Sequence, residues 1–418
     1  MNDILSFWGQ WLRPSAGLPT VQWSLLLAVA AIAGHLLQRH VGLPKVVGYT
    51  VVGTLAGLAG FSGSPWPLQG TSLFLLELGL AVVLFEAGGR IPLRWFRHNP
   101  MVLVQSVAES ALTYFAVYWT LVWLDLPTQV ASPLALVALA ASPSVLTRVV
   151  ADTRAAGPVT ERAIVLATLS TLYALTLGSA SAEVLGRPAV TLTDTLSPVL
   201  VVLGVSIVVA AVLALTLRTA LRFMSPTSEN TSLLLLTLVA AATAVAAHLG
   251  GSAPLAALLG AILLKQLNPR PWAWPRHLGN ASALLTMLMF VLVSTVAAQA
   301  DWSGRVAGLV LALIAARLVA KMLGVALGNV GSGASWQQAL WVASAMTPMS
   351  SIALLIASQF VRASPEIGPM IAAIALPAIL LMEVAGAVIC TLAIYRAGES
   401  SKPWALTTRV STGDQHES

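Results

Sequence analysis

Charged side chains are scarce in this sequence. Only 9% of its 418 residues are Asp, Glu, Lys or Arg, whereas 57% are hydrophobic, and the mean hydropathy is +0.85. A chain of this composition has too few polar groups to cover the surface of a soluble globular protein. The composition therefore predicts an integral membrane protein whose solvent is the lipid bilayer.

Residues that mark other protein classes are also few. The single cysteine, Cys390, can form no disulfide within the chain, and none of the six histidines has the spacing of a metal-binding motif such as HExxH. There is no phosphate-binding loop and no GxSxG motif, so we predict neither an enzyme nor a cofactor. The formal charge of +6 is dispersed between apolar segments, so nucleic acid binding is not predicted either.

Long apolar runs dominate the rest of the sequence. Thirteen uncharged or nearly uncharged stretches have about the length, roughly 20 residues, that a spanning helix needs. Strands of a membrane β-barrel would instead be short and alternating. We therefore predict an all-α polytopic protein with about thirteen transmembrane helices over residues 19–399, preceded by an extracytoplasmic segment, 1–18, and followed by a disordered cytoplasmic tail, 400–418.

The lysines and arginines indicate an orientation. With thirteen spans, 16 of the 22 basic residues fall in loops on one side and four on the other, while Arg317 and Lys321 lie inside a span. Because cytoplasmic loops carry the excess of basic residues, we predict an inner (plasma) membrane protein with its N-terminus outside and its C-terminus in the cytoplasm.

The two halves of the chain contain similar features in the same order. A proline opens a small-residue segment at Pro44 and again at Pro254. Three spans later, each half has a proline beside hydroxyl residues, in Ser142-Pro143-Ser144 and in Thr347-Pro348. If span seven is a connector, corresponding spans enter the membrane from opposite sides, which predicts two inverted repeats.

The second proline of each half predicts a broken helix. Proline in mid-membrane removes a backbone donor and clashes with the preceding turn, so the freed carbonyl groups must face protein or a water-filled cavity. Matched breaks at Pro143 and Pro348 therefore favour two crossing helices that form a transport site. The alternative is that each proline only kinks an ordinary span.

Several motifs follow one another along nearly the whole chain. They are Leu43–Gly57, Leu78–Gly88, Ala141–Val145, the span with Arg317 and Lys321, Thr347-Pro348, and Met382–Glu399. These motifs resemble the cation:proton antiporter-2 family, which is related to bacterial sodium/proton exchangers. The resemblance implies exchange of Na⁺ or K⁺, bound only transiently, for protons by alternating access. It also implies core helices at about 100–183 and 306–397, interface helices at about 19–89 and 231–300, and a homodimer.

One departure from the family pattern affects the expected chemistry. The resemblance implies an Asn-Asp or Asp-Asp pair midway along the sixth span, where the aspartate binds cation and proton in turn. This sequence has Ser170 and Thr171 there, and neither hydroxyl titrates near neutral pH. Exchange therefore requires another acid, or the coupling has been changed or lost.

Ionisable residues within the spans are candidates for that chemistry, because charge at membrane depth is costly. We consider five as ion- or proton-binding candidates: Glu109, Glu86, Glu383, Lys321 and Arg317. The last two lie four residues apart on one helix face, and the resemblance implies an acidic partner, for which we predict Glu86 or Glu383. The alternative is an ion pair that only fixes helix packing.

Glu109 is the leading candidate for the proton-titrating acid, since it lies near the middle of span four. The alternative is a protonated glutamate that is hydrogen-bonded to a backbone carbonyl. Lysine can lose its proton on burial and arginine cannot, so proton carriage is an option for Lys321 and packing is favoured for Arg317.

Three functions remain open. The first is a cation:proton antiporter with relocated acid chemistry. The second is a carrier of another solute, such as an organic anion, which the two cationic residues and the Ser170-Thr171 pair suggest. The third is a non-transporting membrane sensor or scaffold, which an apolar filling around Pro143 and Pro348 would favour.

Overall fold

The computed structural model of the chain describes residues 19–61, 66–91, 93, 96, 99–185, 192–225, 228–268, 276–300 and 304–401. The predictions for the N-terminal segment 1–18 and for most of the tail, 402–418, lie outside these residues. The helices are α1 (Pro19–Val41), α2 (Lys45–Leu58), α3 (Gly70–Gly88), α4 (Met101–Trp123), α5 (Thr128–Leu139), α6 (Pro143–Thr153), α7 (Pro158–Val184), α8 (Leu192–Phe223), α9 (Glu229–His248), α10 (Ala253–Leu267), α11 (Arg276–Ala297), α12 (Gly304–Leu327), α13 (Trp336–Ala345), α14 (Ser351–Ala363) and α15 (Gly368–Arg396).

The all-α membrane architecture is confirmed. Within the described ranges, ten segments are long and apolar enough to cross a membrane, and three shorter helices, α2, α10 and α14, are also apolar. The number of crossings, about thirteen, stays a prediction. Apolar residues point outward along the helices, with Leu200 and Leu323 exposing 68% and 54% of their surface, whereas Arg317 and Lys321 are among the largest fully buried side chains. This arrangement is that of a protein solvated by lipid.

Two helices are interrupted where the sequence predicted it. The helix path stops at Leu139 and resumes at Pro143, which suits proline because the first position of a helix needs no N–H partner. The second break separates α13 from α14 and contains Pro348. The chain around both breaks is buried, so its free backbone groups must be satisfied by protein.

The helices pack in two groups around the breaks. In one group α4 packs along α12, α5 contacts α4 and α7, and α15 contacts α12, α13 and α14. In the other, α2 packs on α11 and α1, and α3 packs on α10. The long helix α8 contacts both α7 and α10.

The chain after α15 returns to the start of α7. The Glu399 carboxylate accepts backbone hydrogen bonds from Val159 and Thr160, both at 2.7 Å. A carboxylate at this position satisfies N–H groups that have no partner within the helix and complements the positive helix N-terminus. The end of α15 is thereby fastened to the helix that carries Ser170 and Thr171.

Candidate functional site

The two helix breaks meet at the guanidinium group of Arg317. Its Nε donates to the carbonyl of Ala138 at 2.8 Å and its Nη2 to that of Ala140 at 3.0 Å. Its Nη1 donates to the carbonyl of Thr347 at 2.6 Å, and Nη2 also contacts that of Pro348 at 3.3 Å. One side chain therefore bridges the end of α5 and the break before α14.

The need for this cation follows from the broken helices. The last carbonyls of a helix have no partner within it and form the negative end of its dipole. At the end of α5 and in the second break these carbonyls are buried, and a planar group with five donors satisfies several at once. Arg317 thus places a permanent positive charge beside the partly negative carbonyls of the two breaks. Among the described residues, no carboxylate lies within 4.0 Å of this side chain.

Hydroxyl groups satisfy the remaining carbonyls of the first break. Ser170 donates to the carbonyl of Leu139 at 2.8 Å, and Thr171 donates to Ala167 at 2.8 Å and contacts Ala141 at 3.3 Å. Both side chains are completely buried. The position at which the resemblance implies an acid therefore faces the end of α5 and supplies donors there.

A second polar contact joins α12 to α4 one turn further along α12. The ammonium group of Lys321 forms an ion pair with the Glu109 carboxylate, and both side chains are completely buried. Ser110 and Thr113 donate to the same carboxylate at 3.2 and 3.3 Å. This pair is therefore a fully buried pair of opposite charges whose carboxylate is also hydrogen-bonded by two hydroxyl groups.

A glycine on α12 makes this contact possible. A Cβ atom at Gly324 would collide with the backbone of Glu109, so the two helices can approach this closely only without a side chain there. Gln105, one turn before Glu109, adds a hydrogen bond of 2.7 Å from its amide to the carbonyl of Val325. The α4–α12 contact is therefore specific in position as well as close.

Glu383, on α15, contacts the second break. One carboxylate oxygen accepts a hydrogen bond of 2.9 Å from Ser350, and the other is buried without a partner among the described residues. Gly386, one turn later on α15, packs directly on Pro348. Ser142 and Ser144 bond to each other at 2.9 Å at the start of α6.

A family assignment agrees with this geometry. The sequence profile of the family described as "Sodium/hydrogen exchanger, transmembrane" matches residues 25–394. The chain belongs to the sodium/hydrogen exchanger family. The resemblance noted from its motifs is thereby confirmed, and the family is one of transporters. No curated protein matches this exchanger chain.

Solved structures of one antiporter share the fold of this exchanger. One is the structure of the sodium proton antiporter MjNhaP1 from Methanocaldococcus jannaschii at pH 8, which is 15% identical, with a TM-score of 0.67 over 91% of this chain and 98% of that one. The other is an electron microscopy structure of the same antiporter, also 15% identical, with a TM-score of 0.69 over 97% of this chain and 100% of that one. At this identity the likeness concerns the fold alone.

The predicted partners of the basic residues are wrong. Glu86 pairs with Arg90 at 2.8 Å, near the end of α3, and Glu383 bonds to Ser350. The partner of Lys321 is Glu109, which the sequence singled out for a different reason. The alternative for Glu109, a hydrogen bond to a backbone carbonyl, is not what the structure has: its carboxylate accepts from Lys321 and two hydroxyls.

Helix depth could have identified this ion pair. Glu109 lies eight residues from the start of α4 and Lys321 six residues from the end of α12. Because the two helices run in opposite directions, Glu109 and Lys321 lie about 12 and 9 Å from the same end of the helix pair, at about 1.5 Å per residue. The small residue Gly324 then marks the side of α12 that meets α4.

Two cavities lie at opposite ends of the helix bundle. One of about 460 Å³ is lined by residues that include Glu77, Ser179, Gln359 and Arg362, from α3, α7 and α14. The other, of about 270 Å³, includes Asp152 at the end of α6. None of the five ion- or proton-binding candidates lines either cavity. The crossing contains polar groups, including Arg317 and Ser170, as well as buried apolar side chains such as Met346 and Met349, so its filling is not purely apolar.

Proposed function

We propose that this exchanger moves a monovalent cation, Na⁺ or K⁺, in one direction and protons in the other by alternating access. Its family membership supports cation:proton exchange. The observation that carries the assignment to this chain is the buried Lys321–Glu109 pair beside two broken helices. It supplies the acid that is absent from Ser170 and Thr171.

The exchange follows from the cost of buried charge. A dehydrated monovalent cation needs oxygen ligands, and the Glu109 carboxylate with the Ser110 and Thr113 hydroxyls provides them. A cation bound there displaces the Lys321 ammonium group, which leaves a positive charge without a partner in a low-dielectric core. Release of a proton from another buried group restores the balance of charge, so cation binding is coupled to proton release.

The assembly is proposed on the same basis. We infer a plasma membrane protein with its N-terminus outside, as the basic loops indicate. The core comprises the helices at about 100–183 and 306–397, and the interface helices at about 19–89 and 231–300 join two copies into a homodimer. Alternating access then consists of movement of the core against the interface helices.

Carriage of an organic anion receives less support. An anion would need a cationic group that is free to bind it. Arg317 is bonded to four carbonyls and Lys321 is paired with Glu109. The positive charge of each side chain is therefore already opposed by buried partners, with which an anionic solute would have to compete.

Reconstituted protein tests the proposal. Liposomes that contain the full chain and a fluorescent pH indicator are given a preset pH gradient, and Na⁺ or K⁺ is then added. We expect collapse of the gradient by at least one of these cations, loss of the response in Glu109→Gln and Lys321→Met, and an unchanged response in the matched controls Glu366→Gln and Lys265→Met. A wild-type protein that responds to no monovalent cation would reject the antiporter.

A further inference from the structure

Glu383 is a buried acid that the exchange described above does not use. It lies midway along α15 and is completely buried. Ser350 bonds to one of its oxygens, while the other oxygen and the hydroxyl of neighbouring Ser351 are both buried and have no hydrogen-bond partner in the part of the chain that the structure describes. A carboxyl fixed in one protonation state would have its hydrogen bonds completed for that state. Here the second oxygen is free to gain or lose a proton without breaking a network.

The surroundings contain influences on both the neutral and the charged form of Glu383. Burial away from water favours the neutral acid. The ionised form is favoured by the positive N-terminus of α14, which begins at Ser351, and by Arg317, whose guanidinium bonds to Thr347 and Pro348 in the same break. Arg317 and Glu383 thus approach one short segment of chain from two different helices.

Other charges near Glu383 are few. Of the helices that contact α15, α5 and α13 contain no titratable residue. The helix α12 contributes Arg317 and Lys321, the latter paired with Glu109 of α4. The other titratable residues of the contacting helices whose side chains the structure describes lie at helix ends or a turn or more from the break. They are Lys45 and Tyr49 of α2, Arg148 and Asp152 of α6, Arg305 of α12, and Arg362 of α14.

We propose that Glu383 carries the proton that is exchanged for the cation, an inference that rests on the proposed function. With Glu383 protonated and Glu109 paired to Lys321, the buried groups have the single positive charge of Arg317. When a cation binds Glu109 and frees Lys321, the Glu383 O–H bond breaks, the proton leaves to water and the carboxylate remains. Three positive charges, on the cation, Lys321 and Arg317, then face two negative carboxylates, so the buried groups again have a single net positive charge.

Two transport modes separate this role from a structural one. Proton-coupled exchange is measured as above, and cation-for-cation exchange is measured as uptake of radioactive sodium or rubidium into liposomes that contain the same unlabelled cation. In Glu383→Gln, which keeps the shape of the protonated acid, we expect coupled exchange to fall to the level of protein-free liposomes. Cation-for-cation exchange, which needs no proton, should persist, but at higher cation concentrations than in wild type, because the variant cannot offset the charge of the bound cation. Glu366→Gln, a loop glutamate, is the matched control and should retain both modes.

A binding measurement gives a second readout. In detergent, the wild-type protein should release protons when Na⁺ or K⁺ is added to a weakly buffered solution. Glu383→Gln should bind the cation more weakly and without that release. Size-exclusion chromatography and thermal denaturation confirm that the variant is folded before either measurement.

The outcomes distinguish the two proposals. If wild type exchanges cation for proton and folded Glu383→Gln does so equally well, the role of Glu383 is refuted and the antiporter stands. Loss of both transport modes in that variant also refutes a proton-only role. If wild type couples no cation to protons, the proposed function fails, and the assignment of Glu383 with it.

Discussion

Removing either partner of the Lys321–Glu109 pair should destabilise this exchanger. The loss of stability should be greater at high pH when Lys321 is removed and greater at low pH when Glu109 is removed. Both side chains are completely buried, so solvent does not screen the charge that is left. Removing one partner of a buried pair typically costs about 3 to 5 kcal/mol. In Lys321→Met the carboxylate keeps its two hydroxyl donors, each worth about 1 kcal/mol, so the loss should lie near the lower end. In Glu109→Gln the ammonium keeps at most a neutral amide oxygen, and the loss should lie near the upper end.

The pH dependence follows from how each lone charge can be neutralised. An unpaired buried carboxylate holds a proton more tightly in the folded than in the unfolded state, so the folded Lys321→Met variant binds more protons and its stability falls as the pH rises. An unpaired buried ammonium releases its proton more readily when folded, so Glu109→Gln gains stability as the pH rises. The double variant has no unpaired charge and should recover most of the loss.

Unfolding in detergent between about pH 5 and about pH 9 measures these differences relative to wild type. Lys265→Met and Glu366→Gln serve as controls for loss of a lysine or a glutamate elsewhere. Two results would refute the reasoning: equal pH slopes for the two single variants, or a double variant no more stable than either of them.

Three further predictions use the same assay. Gly324→Ala should lower the free energy of unfolding by about 1 to 3 kcal/mol, because its Cβ meets the backbone of Glu109. The control Gly308→Ala, at an uncrowded position of the same helix, should leave it unchanged, and equal effects would contradict the close contact. Arg317→Lys should lose at least about 2 kcal/mol, since an ammonium cannot reach all four carbonyls, and wild-type stability would be the contrary result. Glu399→Ala should lose about 0.5 to 2 kcal/mol as the cap of α7 is removed, and no change would show that the cap is dispensable.

The sequence was informative where a single residue determines local structure. Pro143 and Pro348 lie at helix interruptions because proline cannot donate to the hydrogen-bond ladder. Their matched positions in the two halves distinguish them from Pro133, Pro198 and Pro377, which lie within continuous helices. The long apolar runs likewise require helices, since lipid offers no hydrogen bonds. These features depend on backbone chemistry and could be read without a structure.

Pairing between helices was less predictable, because it depends on which faces meet. The expected partners, Glu86 and Glu383, were chosen from resemblance, and both bond elsewhere. Lys321 pairs with Glu109 because Gly324 lets α4 approach that face of α12. The bonds from Arg317 to four carbonyls were not predicted at all, since a sequence does not show which backbone groups are left free.

Arg317 also affects where a transported cation can bind. The carbonyls freed by the two breaks are good ligands for a dehydrated cation, and the sequence alone suggests that the cation lies between them. In the structure the guanidinium already bonds to four of these carbonyls. A second unit charge about 4 Å away would be repelled by about 4 kcal/mol at an effective dielectric constant near 20. We therefore propose that the cation binds one turn along α12, at Glu109, where a negative charge is available. In this proposal Arg317 keeps a permanent positive charge at the crossing, and the two buried acids balance it.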